Sequence, residues 1–497
     1  MLTLLCCSFL HLPAQNQVDR FEIELATNEI NLDLTAISAA DKGLILFRRL
    51  LETPIDRYEF THLDTSLNIV WKRNIEVAKD LALAGSLLKD DILFLLFRSV
   101  DFSTANFQIA SIKVENGEHV VSTVTNVIPF NPTEFVITNE AAFMGGYFNY
   151  RPLVLYFSFI TQKSHVLPGF YNDRGELTHI SPNKDGTTDI IVSADNVDKK
   201  KSLWIRNYGS KGDLIKTTIL QPEPKKNLIF GRSIQTNDGK QMVVGVYGRY
   251  KEYSRGFFIA GINETGEYGV KYYNFAELQR FFNYMKAERE DRVMGKIERR
   301  KIKGKKIKFN YRFVVHEIIP YQDQYIMLGE AFYPQYSYAQ GTEFGIYSPL
   351  MYSHSFSRGG YTLIGYHYTH AVVIGFNDKG ELKWDNSFEI NNVETTSLKQ
   401  FVKARPLDDR IILQYAYDNQ IHSKIIKDAE VLEGKMGSKI KLRFEDDILV
   451  DKKSDSGQIA YWYGEHLFTY GVQNIKNFKE IKVPQERRVF FVNKISY

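Results

Sequence analysis

Asp41-Lys42-Gly43, followed at once by Leu44-Ile45-Leu46-Phe47, is a short polar turn that introduces an apolar, β-prone run, the pattern of one β-hairpin. The pair recurs along the whole chain. Asp90-Asp91 precedes Ile92 to Phe97, Asn139-Glu140 precedes Ala141 to Tyr147, and Asp185-Gly186 precedes Ile190 to Val192. Asp238-Gly239, Gln322-Asp323, Asp408-Asp409 and Gly464-Glu465 introduce the runs starting at Met242, Tyr325, Ile411 and Leu467. The intervals between the eight turns are 49, 50, 45, 53, 85, 86 and 56 residues. Five of them match a four-stranded propeller blade, and each of the two long ones holds roughly 35 additional residues.

A second turn lies later in the unit. Asp64-Thr65-Ser66-Leu67-Asn68-Ile69-Val70-Trp71 aligns with Asn377-Asp378-Lys379-Gly380-Glu381-Leu382-Lys383-Trp384, with weaker copies at Gly209 to Leu214 and Asn263 to Tyr268. Two consecutive hairpins make a four-stranded antiparallel sheet that cannot bury both faces by itself, so units must stack and the ring must close. The expected fold is therefore all-β: a β-propeller of four-stranded antiparallel blades, eight favoured and seven the alternative, forming one domain over 18–497. The last unit has about three strand runs, ending in Arg488 to Asn493, while Phe21 to Leu25 is a strand without a unit. Pairing the two would complete the last blade.

The stretch from Asn377 to Trp384 resembles the turn-and-Trp motif of pyrroloquinoline-quinone-type propeller repeats, a likeness that implies the fold. Quinoprotein dehydrogenases of that family carry adjacent cysteines at the cofactor, and the adjacent pair here, Cys6-Cys7, falls in an apolar leader. No cofactor is expected.

That leader, Leu2 to Leu12, is uncharged and is followed by Pro13, Ala14 and Gln15, the order of a signal peptide cut after Ala14. The stretch is too short to span a bilayer. Residues 1–14 are thus read as a signal peptide and the mature chain as exported: periplasmic, cell-surface or secreted. A mature chain without cysteine has no disulfide, thiolate nucleophile or Cys-ligated metal. With 497 residues, 44% hydrophobic, 25% charged and a net charge of +4, it is a core-forming protein rather than a disordered one.

The two long intervals hold the candidate sites. In 276–308, Leu278, Phe281, Phe282, Met285, Val293 and Ile297 fall at helical spacing, which predicts a helix over 276–301. From Lys286 to Lys308 eleven Lys or Arg face four acids, a local +7 that leaves −3 for the rest of the chain. Lys296, Arg299, Arg300, Lys301, Lys305 and Lys306 are the expected contacts to an anionic surface or partner. The plain alternative is a solvated helix with (i, i+4) ion pairs. In 333–370, eight tyrosines with interspersed glycines predict an aromatic loop, in which Tyr336, Tyr338, Tyr347, Tyr352, His354, Tyr361 and Tyr366 would meet a sugar or peptide. The plain alternative there is packing on the blade.

His367 and His370 stand three apart on a strand and are not a metal pair, and no metal site is expected. The chain has no Gly-x-Ser-x-Gly elbow, zincin helix or phosphate loop. These readings favour a non-catalytic exported platform in the cell envelope that binds protein or glycan, without nucleic acid and without a transmembrane span. The alternative is a carbohydrate-active hydrolase or lyase with paired carboxylates in the central funnel.

Overall fold

The computed structural model describes residues 16–25, 32–50, 56–101, 104–125, 128–149, 151–170, 175–236, 239–305, 307, 309, 311–338, 361–395, 398–450, 458–480 and 483–496. Its strands form eight antiparallel sheets, so the eight-bladed expectation holds and the seven-bladed one does not. Blades 1 to 7 occupy 32–77, 81–125, 131–166, 175–220, 227–274, 312–395 and 403–439, each with its four strands in sequence order. Every turn aligned in the sequence joins the first and second, or the third and fourth, strand of a blade. The fourth-place glycines adopt the left-handed backbone a hairpin needs: Gly212 has φ 79°, Gly266 90° and Gly380 67°, values other L-residues reach only at a cost.

Blade 8 is built from both ends of the described chain. Strand Glu486–Ser496 lies between His466–Lys476 and Asn16–Leu25, with Phe21 opposite Val492 and Ile23 opposite Phe490. The leftover strand at the start of the chain therefore completes the last blade, as the run lengths suggest. The innermost position is filled by two short pieces, Ile448–Leu449 and Gln458–Tyr461, both paired with His466–Lys476. Arg20 locks the closure from inside, 2.6 Å from Glu22 and 2.7 Å from Gln473.

Eight clusters of buried apolar side chains lie one between each pair of neighbouring blades, the last joining Leu25, Trp462, Phe468 and Phe490 to Leu44 and Leu46 of blade 1. A ring of eight inter-blade cores is what a closed propeller requires, since each sheet buries its two faces on different neighbours.

First strands touch one another from blade 1 through blade 6 and again between blades 7 and 8, which places them around the axis. Six of them slip register by one residue, just before Thr35, Gly85, Glu134, His179, Phe230 and Glu317. Such bulges bend a strand and re-aim its side chains.

Two features depart from the sequence reading. The helix spans Ala287–Ile302, not 276–301: Asn274 caps a short 3-10 turn at Phe275–Glu277 through its side chain, and 278–286 continue as turns. Leu278, Phe281 and Phe282 are buried all the same, in the core between blades 5 and 6, because irregular chain can deliver apolar side chains to one face as a helix does. The described part of 333–370 is also not a loop. Gln324–Tyr338 and Tyr361–Asn377 are long paired strands that carry the central hairpin of blade 6 outward to Tyr338 opposite Tyr361.

Candidate functional site

The two insertions meet. A cleft of about 920 Å³ is lined on one side by Lys286, Glu288, Arg289 and Arg292 of the helix and on the other by Tyr333, Pro334, Tyr336 and His367 of the extended hairpin. Tyr253, Tyr284, Tyr311 and Arg312 lie between these walls, with Phe332, Glu389 and Asn391.

The helix is seated by Ile297, 3% exposed, with Val293 and Met285 packed on the same core. Lys286, Arg289, Arg292, Lys296, Arg299, Lys301 and Lys305 are exposed, and none of them is in an ion pair among the described residues. Arg292 Nε and Arg299 Nε instead donate to the helix carbonyls of Glu288 and Gly295 at 3.1 and 3.0 Å. Arg299, Arg300 and Lys301 form the last turn, where cations complement the helix dipole.

On the hairpin, Tyr333 and Tyr336 would face opposite sides of a regular strand. Both nevertheless line the cleft, beside a register shift whose extra residue, Ile364, lies on the partner strand. Their rings are 47% and 46% exposed. Tyr333 is stacked at 4.6 Å on His367, whose Nδ1 lies 3.6 Å from Glu394.

Between the walls, the hydroxyls of Tyr284 and Tyr311 are 3.2 Å apart. Tyr284 stacks at 3.7 Å, nearly parallel, on the fully buried His370, and Tyr311 packs against Phe275 and Phe281. Burial pushes both phenols above their ordinary range, opposed by the nearby charge of Arg289, so both keep their protons at neutral pH. Arg312 is committed to Glu252 at 3.3 Å, and Glu389 has Lys435 at 3.7 Å. The remaining charged groups of the lining are Lys286, Arg289, Arg292 and Glu288, an excess of positive charge.

The expected site residues fare unevenly. Tyr336 lines the cleft; Tyr366 does not, being fully buried between blades 6 and 7 against Phe332. Tyr338 and Tyr361 pair at the outer end of the hairpin, while their side chains lie outside the described residues, as do Tyr347, Tyr352, His354, Lys306 and the whole leader, residues 1–14. Lys296, Arg299, Lys301 and Lys305 are exposed but away from the cleft. The cations that line it, Lys286, Arg289 and Arg292, recur every third residue, a helical-face spacing present in the sequence. Tyr253, Tyr311 and Arg312 leave no such signal, because different blade 5 and blade 6 segments bring them in.

A second polar set lies on the axis. Glu134, His179, Arg232, Glu317 and Lys403 come from the first strands of blades 3 to 7, and Arg232 interacts with both Glu134 and Glu317. Glu134 and Arg232, two blades apart, are near enough for each to feel the other's charge. Burial raises both carboxyls, opposed by Arg232, and lowers Lys403, while it holds His179 well below its usual range. Among the described residues no group of three or more His, Cys, Asp or Glu is placed to hold a metal ion, and no helix is long and apolar enough to cross a membrane.

No family model and no curated protein matches this chain. Among solved structures it is similar to the polysaccharide lyase Uly1, at 8% identity and a TM-score of 0.41 over 83% of this chain and 89% of that one. It is also similar to the β-propeller domain of the Trilobed protease from Pyrococcus furiosus, at 10% identity and 0.36 over 83% and 94%. A third likeness, to a prolyl endopeptidase, has 8% identity and 0.33, and this chain spans 55% of that protein's length. At these values none of them lends an activity to this chain.

Proposed function

We propose that this protein is an exported, non-catalytic platform of the cell envelope that binds a glycan or protein in the cleft between its helical and tyrosine-rich insertions. One observation carries the reading: the two insertions, 276–308 and 333–370, which are separate in the chain and additional to the four-strand unit, line the same cavity. The alternative, a carbohydrate-active enzyme, would use Glu134 and Glu317 in the funnel, the two carboxyls whose charges act on Arg232.

Binding of the purified chain to envelope material, measured by co-sedimentation, tests the choice. The triple variant Arg289→Ala/Arg292→Ala/Tyr336→Ala removes three exposed side chains and should weaken binding at least tenfold with thermal stability unchanged, corresponding to about 1.4 kcal/mol or more. Unchanged binding would refute the cleft. Retention of binding by that variant, together with release of soluble sugar that Glu134→Gln abolishes, would favour the enzyme. The chain recovered from the producing cell's envelope should begin at Gln15 by mass; recovery from the cytoplasm with Met1 intact would refute export.

A further inference from the structure

We propose that the cleft recognises an anionic saccharide, with a sugar ring against Tyr333 and Tyr336 and its carboxylate or sulfate oxygens received by Arg289 and the Tyr284–Tyr311 hydroxyl pair. The inference rests on the cleft reading above and names the class of ligand it takes.

The hydroxyl pair is the first reason. When two phenols share one hydrogen bond, one O–H donates to the other oxygen and the second O–H is left to donate elsewhere. At 3.2 Å the two oxygens are bonded to each other, both residues line the cavity, and the free hydrogen is therefore available to an acceptor there. Neither ring is free to turn away. Tyr284 is held face to face on His370, and the backbone of Tyr311 is bridged to Ser254, with Ser254 N donating to Tyr311 O at 2.7 Å and Tyr311 N to Ser254 O at 3.1 Å. An O–H donor beside an uncommitted guanidinium suits an anionic oxygen, and charge-assisted hydrogen bonds of this kind are the strong ones.

The opposite wall supplies the second reason. Tyr333 and Tyr336 are half exposed and both line the cleft, so together they offer flat apolar surface with polar edges, which suits the C–H face of a pyranose. Tyr333 is fixed by its stack on His367, so little ordering cost falls on binding. The cavity, at about 920 Å³, has room for several sugar rings. Cations with aromatic rings would also suit single-stranded nucleic acid, but an exported chain meets polysaccharide.

Titration calorimetry on the whole mature chain decides, with four probes: oligogalacturonate of four residues, its methyl ester, a sulfated oligosaccharide of equal length and a dT oligonucleotide. Oligogalacturonate or the sulfated sugar is expected to bind at least tenfold more tightly than the neutral ester, and the better of the two identifies the anion. Arg289→Gln and Tyr311→Phe should each weaken that anionic sugar five- to tenfold and leave the ester unchanged, whereas Tyr336→Ala should weaken both. Arg289 is on the exposed face of the helix, so its substitution tests the anion subsite without endangering the core. Equal binding of acid and ester, tighter binding of dT, or indifference to Arg289→Gln would overturn the inference. If those results come with envelope binding that still needs the cleft, the ligand class is wrong and the cleft stands; if envelope binding ignores the cleft, both fall.

Discussion

Replacing Glu330 with alanine is expected to lower the stability of the propeller by about 3–5 kcal/mol, the cost of breaking a buried charged network from one side. Glu330 is in the second strand of blade 6, between Val314 and Ala371, and is 0% exposed. Its Oε1 accepts hydrogen bonds from the backbone N–H of Val402 at 2.5 Å and of Phe401 at 3.1 Å, and its Oε2 lies 2.7 Å from His316 Nε2. Val402 belongs to the core shared by blades 6 and 7. One carboxylate therefore fixes the connection entering blade 7, and removing it leaves the N–H groups of Phe401 and Val402 without their acceptor and His316 without its neighbouring carboxylate. Glu330→Gln keeps an acceptor oxygen of the same shape and should cost less, about 1–3 kcal/mol. Chemical denaturation of the two variants beside the parent chain measures both. A loss below about 1 kcal/mol for the alanine variant would mean that packing alone holds this junction.

The arrangement of blades is readable from the sequence because turn chemistry is local. Asp41-Lys42-Gly43 and its seven counterparts mark where a chain reverses, and a strand of seven or eight residues between reversals has few other folds available. The closure is readable for a different reason: counting strands leaves one over at the start and the last unit one short, and open edges are unfavourable. The start of the helix is less legible. Leu278, Phe281 and Phe282 keep a helical spacing, but Asn274 and Glu277 close a capping box on a 3-10 turn, and the chain then runs through turns until Ala287. Spacing reports which side chains share a face, and turns packed on a curved core can produce the same spacing.

The cleft is legible only in part. The basic element and the tyrosines stand out in composition, yet nothing in either predicts that they face each other, since that depends on how blades 5 and 6 direct their long excursions. Tyr336 lines the cleft from the extended hairpin, and Tyr366 becomes core because its strand continues the blade; both follow from how blade 6 is paired, which composition does not encode. The axial set is hidden for a similar reason. Glu134, His179 and Glu317 each follow a register slip in a first strand, and a slip leaves no composition of its own.

Acidification should unfold this protein through His370, and substituting that residue should flatten the response. The imidazole is fully buried among Phe281, Tyr284, Tyr311 and Phe313, with Thr369 Oγ1 2.9 Å from Nδ1 and no charged side chain against it. Burial pushes its pKa down to about 3. The unfolded chain takes up this proton below an ordinary histidine pKa of about 6.5 while the folded chain refuses it. Unfolding is therefore increasingly favoured as pH falls from about 6.5 towards 3, by roughly 2–3 kcal/mol at pH 4.5. His422, held down to about 4 by burial and by Lys435, and His179 add to the same slope. Glu134, Asp189, Glu317 and Asp385 act in the other direction, because burial raises their pKa values and the folded state gains their protons first. The parent curve is thus a balance, and the difference between it and His370→Phe isolates one group. The phenyl ring retains the stack on Tyr284 without a titrating nitrogen, so the variant should lose roughly 2–3 kcal/mol less stability than the parent between pH 7 and pH 4.5. Parallel pH–stability curves for parent and variant would show that the folded chain admits the proton and that the aromatic cage is open to water at this position.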